Sequence, residues 1–198
     1  YDALNRLTSV LDADGNTTSY AYDAAGNLIE VTDALGTSTP GIPDDHQTHF
    51  TYDALDQLLT TTNAQSQTKS FTYDAARNLG QVEDANGQTI TFGYDAANQL
   101  TQKVLTDALD VVQDTVTYAY DDVGNLTRVQ DRDSKLAFTY DRMGRLLSAR
   151  TGEPGTPAFA QPVTTLTYGY DPNGNRNLLT GPAQLQLAYG YDALNRLT

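Results

Sequence analysis

Short runs of alternating apolar and polar residues are cut off at regular intervals by clusters of Asp, Gly and Asn. Residues 7–11, 17–22 and 28–32 are three such runs, with turn clusters at 12–16 and 23–27 between them. The runs are short and rich in Thr, Val, Tyr and Leu, which predicts strands rather than helices. Two antiparallel strands and two tight turns therefore make one unit. The dipeptide Tyr-Asp opens one turn of each unit, at Tyr1, Tyr22, Tyr52, Tyr73, Tyr94, Tyr120, Tyr140, Tyr170 and Tyr191, in steps of 21, 30, 21, 21, 26, 20, 30 and 21 residues. A period near twenty marks a repeat protein.

A helix competes over the first unit, because Leu4, Leu7 and Leu11 share a helical face. The fourth residue counted from each Asp decides against it. That residue is Gly26, Gly124, Gly144 or Gly174 in four units and Asn5, Asp56, Asn98 or Asn195 in four more; Arg77 is the exception. These residue types tolerate a left-handed backbone, which a three-residue hairpin loop needs and a helix interior does not. With residues 24–26 as the loop, Tyr22 faces Leu28 across the hairpin, a pair contributing roughly 0.2–1 kcal/mol. The Leu recurs in eight of the nine units, and Arg176 replaces it in the other, where a bulge at Leu178 or Leu179 is expected to compensate.

A second aromatic precedes each Tyr-Asp by two residues: Tyr20, Phe50, Phe71, Phe92, Tyr118, Phe138, Tyr168 and Tyr189. Residues two apart in a strand share a face, so successive units stack two aromatic columns on one face. The residue between them is always small. Longer steps carry insertions near 36–47, 103–114 and 151–163, expected as loops that replace the turn opposite Tyr-Asp. About sixteen strands at about 4.8 Å each would make a sheet ~80 Å wide, and a twisted sheet of that width is expected to curl.

The chain has 198 residues with a formal net charge of −13. Asp outnumbers Glu 22 to 3, so the acidity is turn chemistry: only the short side chain accepts from backbone N–H groups just ahead of it. The charge counts against nucleic acid and anionic membranes as partners. Leu, Ile, Val and Phe make up about a fifth of the residues, near the level of disordered chains. Periodic aromatics argue for a folded chain instead. There is no Cys, and no apolar run approaches the ~20 residues of a membrane helix. The same eight residues stand at 1–8 and 191–198, and the chain reads as one repeat array, a segment of a longer one.

Tyr-x-Tyr-Asp-x-x-Gly-Asn-Leu and Tyr-Asp-Ala-Leu-Asn-Arg-Leu resemble the YD repeats of the RHS family, which includes bacterial polymorphic toxins, the BC component of insecticidal Tc toxins, and teneurins. The resemblance covers the whole chain. It implies an all-β strip of hairpins that spirals into part of a hollow shell. It implies a non-enzymatic wall around a C-terminal effector, in a secreted or surface protein, with an adhesive or filament-forming module as the alternative. Partners implied are neighbouring repeats of the same or identical chains, an enclosed effector, or surface glycans bound on exposed Tyr faces.

Nine equivalent copies of Tyr-Asp serve a repeat rather than a catalytic centre. The residues assigned this structural role are Tyr22, Asp23, Gly26, Leu28, Tyr52, Asp53, Tyr73, Asp74, Tyr94, Asp95, Tyr120, Asp121, Gly124, Tyr140, Asp141, Gly144, Tyr170, Asp171 and Gly174. No catalytic residue, cofactor or metal is expected. Asp12 and Asp14 resemble the start of a calcium loop but lack its downstream Glu. His46 and His49, near Asp44 and Asp45, read as solvated loop histidines rather than metal ligands. Asp171-Pro172 sits in an ordinary repeat position.

Overall fold

A computed structural model describes residues 1–33, 46–152 and 164–198. The described residues hold sixteen strands and no helix. The chain divides into two compact units, Tyr1–Phe92 with Leu105–Val111, and Gly93–Val104 with Val112–Thr198. The first eight strands are β1 (Ser9–Leu11), β2 (Thr17–Tyr22), β3 (Leu28–Thr32), β4 (Gln47–Tyr52), β5 (Leu58–Thr62), β6 (Thr68–Tyr73), β7 (Leu79–Glu83) and β8 (Thr89–Tyr94). The next eight are β9 (Leu100–Thr106), β10 (Val112–Tyr120), β11 (Leu126–Gln130), β12 (Lys135–Tyr140), β13 (Leu146–Gly152), β14 (Thr164–Tyr170), β15 (Arg176–Thr180) and β16 (Gln186–Ala188). Within each unit the strands neighbour one another in chain order, all antiparallel.

Each Tyr-Asp hairpin has one register. In β2 and β3, Tyr20 faces Val31, Ala21 faces Glu30, and Tyr22 then faces Leu28, so Ile29 is an extra residue in the ladder. The same shift recurs at Leu59, Gly80, Thr127, Leu147 and Asn177. This bulge has a packing consequence. Leu28 and Val31 are three apart, yet both lie on the aromatic face, while Ile29 turns outward and is 36% exposed. The shift expected at Leu178 or Leu179 is absent: Gly169 faces Leu178 and Tyr168 faces Leu179, as in every other hairpin, and Arg176 stands opposite Tyr170 in the place of the Leu.

The opposite face is mostly polar, with paired Thr and Ser hydroxyls beside larger residues such as Glu30, Gln81 and Arg128. Thr51 and Thr60 join their hydroxyls at 2.6 Å, Thr62 and Thr68 at 2.9 Å, and Thr139 and Ser148 at 2.7 Å, and Thr167 pairs with Thr180. Neither unit has a second layer. Among the described residues Val82 is the one buried apolar side chain, and no side chain is fully buried. Cross-strand pairs and turns therefore do the work that a core does in a globular domain.

The segment 103–114 is not an inserted loop. It lengthens β9 and β10 to seven and nine residues, around a turn in which Asp107 N–H donates to Val111 O at 3.0 Å. Its residues Lys103–Thr106 include two strand formers, and Asp107 supplies the turn chemistry found elsewhere. The other two expected insertions lie largely outside the described residues, as do Asp44 and Asp45.

Candidate functional site

All nine Tyr-Asp turns close on the Asp. Its N–H donates to the carbonyl four residues on at 2.9–3.0 Å, and its carbonyl accepts from the N–H three residues on at 2.9–3.2 Å. Its Oδ1 also accepts from the N–H four residues on at 2.8–3.0 Å in every copy. Glu would overshoot these donors, which explains the bias towards Asp. The fourth residue is left-handed in all nine copies, with φ between 58° and 100°. Arg77 is included at 71°: the turn imposes on an arginine the conformation that its neighbours reach with Gly or Asn.

The opposite turns use the same chemistry. Asp12, Asn63, Asp84 and Asp107 donate to the carbonyl four residues on, and Gly15, Ser66, Gly87 and Asp110 are left-handed. Asp12 and Asp14 thus belong to an ordinary turn, in which Asp12 accepts from the N–H groups of Asp14 and Asn16 at 2.9 Å.

The fifth residue of the Tyr-Asp turn, always Arg, Asn or Gln, completes the carboxylate's partners. The side-chain amides of Asn27, Asn78, Asn125 and Asn175 donate to Oδ2 at 2.9–3.1 Å, and Nε of Arg6, Arg145 and Arg196 at 2.6–2.7 Å. Hydrogen bonds from the Asn125 side chain and backbone hold the Asp121 carboxyl below the usual range, and Asn78 does the same to Asp74. The fifth residue also reaches the next turn. Asn27 donates to Asp56 Oδ1 at 2.7 Å, Arg6 donates to Asp23 O at 3.1 Å, and the Arg6 guanidinium lies 4.7 Å from the centre of the Tyr22 ring. Sequence reasoning overlooked this position, although its restriction to side-chain donors was visible.

The tyrosine of seven of the nine Tyr-Asp dipeptides is a latch. Its hydroxyl donates to the carbonyl of the Leu position one unit back: Tyr22 to Leu7, Tyr52 to Leu28, Tyr73 to Leu58, Tyr120 to Leu100, Tyr140 to Leu126, Tyr170 to Leu146 and Tyr191 to Arg176, all at 2.9–3.0 Å. The ladder between hairpins ends short of this carbonyl: β3 and β4 pair only as far as Glu30 and His49. The phenol stands in for a missing rung. Desolvation, then the nearby Asp23 or Asp121 carboxylate, raises the pKa of the Tyr52 and Tyr140 hydroxyls and keeps them protonated as donors.

The latch explains a difference between the two aromatic columns. The Tyr-Asp position is Tyr in all nine units, because Phe would leave the carbonyl bare. The position two residues earlier is Phe in four of eight units, and the hydroxyls of Tyr20, Tyr118, Tyr168 and Tyr189 have no hydrogen-bond partner among the described residues. The rings are half-buried and stand opposite apolar partners on the same face, Tyr20 opposite Val31 and Tyr22 and Tyr52 opposite Leu28 and Leu58.

The sequence-predicted residues lie in series, one set per hairpin, and do not converge on a centre. His46 Nδ1 is 3.2 Å from Asp33 Oδ1, and His49 Nδ1 is 3.6 Å from Glu30 Oε2. His49 lies within β4, opposite Glu30, and not in a loop. Among the described residues no three His, Cys, Asp or Glu are placed to hold a metal ion.

The family described as Teneurin YD-shell matches residues 41–152 and 87–198, and the family described as RHS Repeat matches residues 1–38. The fold is similar to that of the pore-state Tc holotoxin of Photorhabdus luminescens, at 23% identity and a TM-score of 0.72, over 94% of this chain and 10% of that one. It is also similar to TcdB2-TccC3, at 19% identity and a TM-score of 0.65, over 99% of this chain and 13% of that one. No curated protein matches. The chain thus spans about an eighth or less of the solved chains it is similar to.

Proposed function

Because the chain belongs to the YD-shell family, we propose that it is a length of shell wall: a single repeat array without catalytic activity that, with further repeats, encloses a C-terminal effector in a secreted or surface protein. The tyrosine latch carries this reading. It ties a hairpin to the one before it through a phenol hydroxyl already bonded to a backbone carbonyl. A chain in which seven of nine equivalent tyrosines tie one hairpin to the next is suited to containment. Stability in such a strip is a sum of unit and neighbour contributions, so a wall can be lengthened by adding units.

The fold itself supports a wall more than a receptor for sugars. Tyr22 and Tyr170 are covered by Arg6 and Arg145, whose guanidinium carbons lie 4.7 and 4.6 Å from the ring centres. Those ring faces are not free to stack on a glycan. The test is protease treatment of the complete protein that carries this array, with electron microscopy of the particles. Hollow closed particles are expected, with the effector cut only after the wall is broken by Tyr→Ala substitutions at two adjacent latches. Continuous filaments, or an effector cut equally fast in both proteins, would establish the adhesive or filament-forming alternative instead.

A further inference from the structure

The Tyr-Asp turns carry one residue whose nature the turn does not explain. The second residue after the Asp stands at the tip, and it is apolar in eight of nine copies, with Asn173 the exception. Its backbone serves the turn: the N–H groups of Val123 and Met143 donate to Oδ1 of Asp121 and Asp141 at 3.1 and 2.9 Å. Its side chain does not, since Val123 is 83% and Met143 77% exposed. Opposite turns with the same closure carry Asp14, Gln65 and Asn86 at this place, with Leu109 the exception. Strands alternate in direction, so within each compact unit the Tyr-Asp turns share one rim. That rim presents its tips about 10 Å apart, at two strand spacings.

In two places adjacent tips carry charges of opposite sign. In the second compact unit Asp122 precedes Val123 and Arg142 precedes Met143; in the first, Asp56 follows Leu55 and Arg77 follows Ala76. All four charged residues are exposed, and the side chains of Arg77, Asp122 and Arg142 make no ion pair or hydrogen bond among the described residues. Arg77 holds its place at a backbone cost, with φ 71° where the other copies have Gly, Asn or Asp. Each pair of turns is self-complementary. Under a half rotation about an axis between them, Asp122 meets Arg142 and Val123 meets Met143, twice over. Asp56 with Arg77, and Leu55 with Ala76, repeat the pattern. The patch is also less acidic than the chain. Turns 121–125 and 141–145 hold three carboxylates against two guanidiniums, and Asn125 and Arg145 already take Asp121 and Asp141.

We propose that this rim is a contact surface for a second copy of the chain, joined rim to rim about a two-fold axis through the turns at 121–125 and 141–145. The inference does not rest on the wall reading. Apolar tips that meet apolar tips need a partner of the same period, and the paired charges need the same pattern reversed. A second copy supplies both, whereas a foreign apolar surface supplies neither. The net charge of −13 is spread along the strip, and screening over about 8 Å at physiological salt limits its reach across the contact. A few tips bury less than a standard interface, so the contact is weak, with an expected Kd of about 0.1–1 mM.

Sedimentation equilibrium of the 198-residue chain at physiological salt, over concentrations spanning that range, is expected to show a reversible dimer. Val123→Asn with Met143→Asn, Asn being native at the tip of the next copy, is expected to weaken it by about tenfold or more. Leu109→Asn, at an opposite turn of the same closure, is expected to leave it unchanged. Charge exchange separates this contact from any other. Asp122→Arg makes the outward charges of the pair all cationic, and Arg142→Asp makes them all anionic. Each variant alone is expected to stay monomeric across the series, and the two mixed in equal amounts to dimerise as the parent does. These tips touch nothing in the strip, so all variants are expected to keep the parent's thermal midpoint, read by circular dichroism. A parent monomeric throughout, a dimer that survives Val123→Asn with Met143→Asn or either charge variant, a dimer lost with Leu109→Asn, or a mixture that stays monomeric would each overturn the proposal.

Discussion

Tyr140→Phe isolates the latch from everything else the ring does. The substitution keeps the ring, which packs on the aromatic face opposite Leu146, and removes only the hydroxyl that donates to Leu126 O at 2.9 Å. The carbonyl left behind is half-buried and beyond the end of the ladder between β11 and β12, so no backbone N–H replaces the lost donor. A neutral hydrogen bond of this kind contributes about 0.5–1.5 kcal/mol net, towards the top of that range where the acceptor cannot be rehydrated. Here the acceptor is partly accessible, which places the expected loss near 1 kcal/mol. In a chain of this size that corresponds to a thermal midpoint lower by about 2–4 °C. The informative control is Phe138→Tyr, two residues earlier on the same strand and face. The same hydroxyl added there meets no carbonyl, as at Tyr168 and Tyr189, and is expected to change stability by less than about 0.3 kcal/mol. Urea denaturation of both variants and the parent, read by far-ultraviolet circular dichroism, gives the two differences directly. If Tyr140→Phe matched the control, the phenol would be an ornament on the ring and the reasoning about column identity would be wrong.

Arg77→Gly relieves a left-handed arginine and is expected to stabilise the chain by about 0.5–1 kcal/mol in the same assay, after the entropy lost to Gly is deducted. Gly93→Ala and Gly169→Ala should part company. A Cβ at Gly93 meets Gln102 Cβ at 3.6 Å, an ordinary contact, whereas at Gly169 it meets Leu178 Cβ at 3.0 Å, so the first is expected to raise the thermal midpoint and the second to lower it. The pH profile of stability should be flat across neutrality and fall at both ends. Carboxyls such as Asp74 and Asp121, held below their usual range by Asn78 and Asn125, contribute stability above about pH 4 that is lost as they protonate below it. The raised Tyr52 and Tyr140 hydroxyls contribute stability that is complete below about pH 10 and lost as they ionise above it. Chemical denaturation at a series of pH values checks both limbs, and a profile that peaks in acid would refute the turn chemistry.

The hairpins were legible because their information is local. A left-handed position needs Gly, Asn or Asp, and eight of nine units supply one at the same place. That fixes the loop, and the loop fixes Tyr22 opposite Leu28. Arg77 shows the limit of the signal: the hydrogen bonds shared with the other turns impose the conformation on a residue that does not prefer it. The bulge was not seen, because a strand is expected to alternate strictly. The spacing of three between Leu28 and Val31, both of which belong to one face, was its trace. The segment 103–114 was misjudged on length alone. Added residues in a hairpin repeat can lengthen strands without disturbing the turn, and Asp107 marked where the turn had moved. The latch needed coordinates, since a phenol reaching the unit before it leaves no mark in any one motif. The invariance of one Tyr column against the Phe-tolerance of the other was the only sequence-level sign.

A sheet one layer thick draws less stability from burial than a packed core does, and among the described residues Val82 is the one buried apolar side chain. What remains is directional: turns closed by a carboxylate, ring columns, and a phenol that bonds backward to the preceding hairpin. Directional contacts between identical units suit continuity over distance, since each hairpin is held by its neighbour and holds the next. They suit an enclosing surface for the same reason. The Tyr-Asp tyrosines on the aromatic face link hairpins, and the opposite face offers Thr and Ser hydroxyls paired with one another, as at Thr51 with Thr60 and Thr139 with Ser148. A polypeptide beside that paired surface finds neither an apolar patch nor an unpaired hydrogen-bonding group at those positions to adhere to. At those positions the inertness follows from the same pairings that hold the strip together, and it fits the wall proposed above.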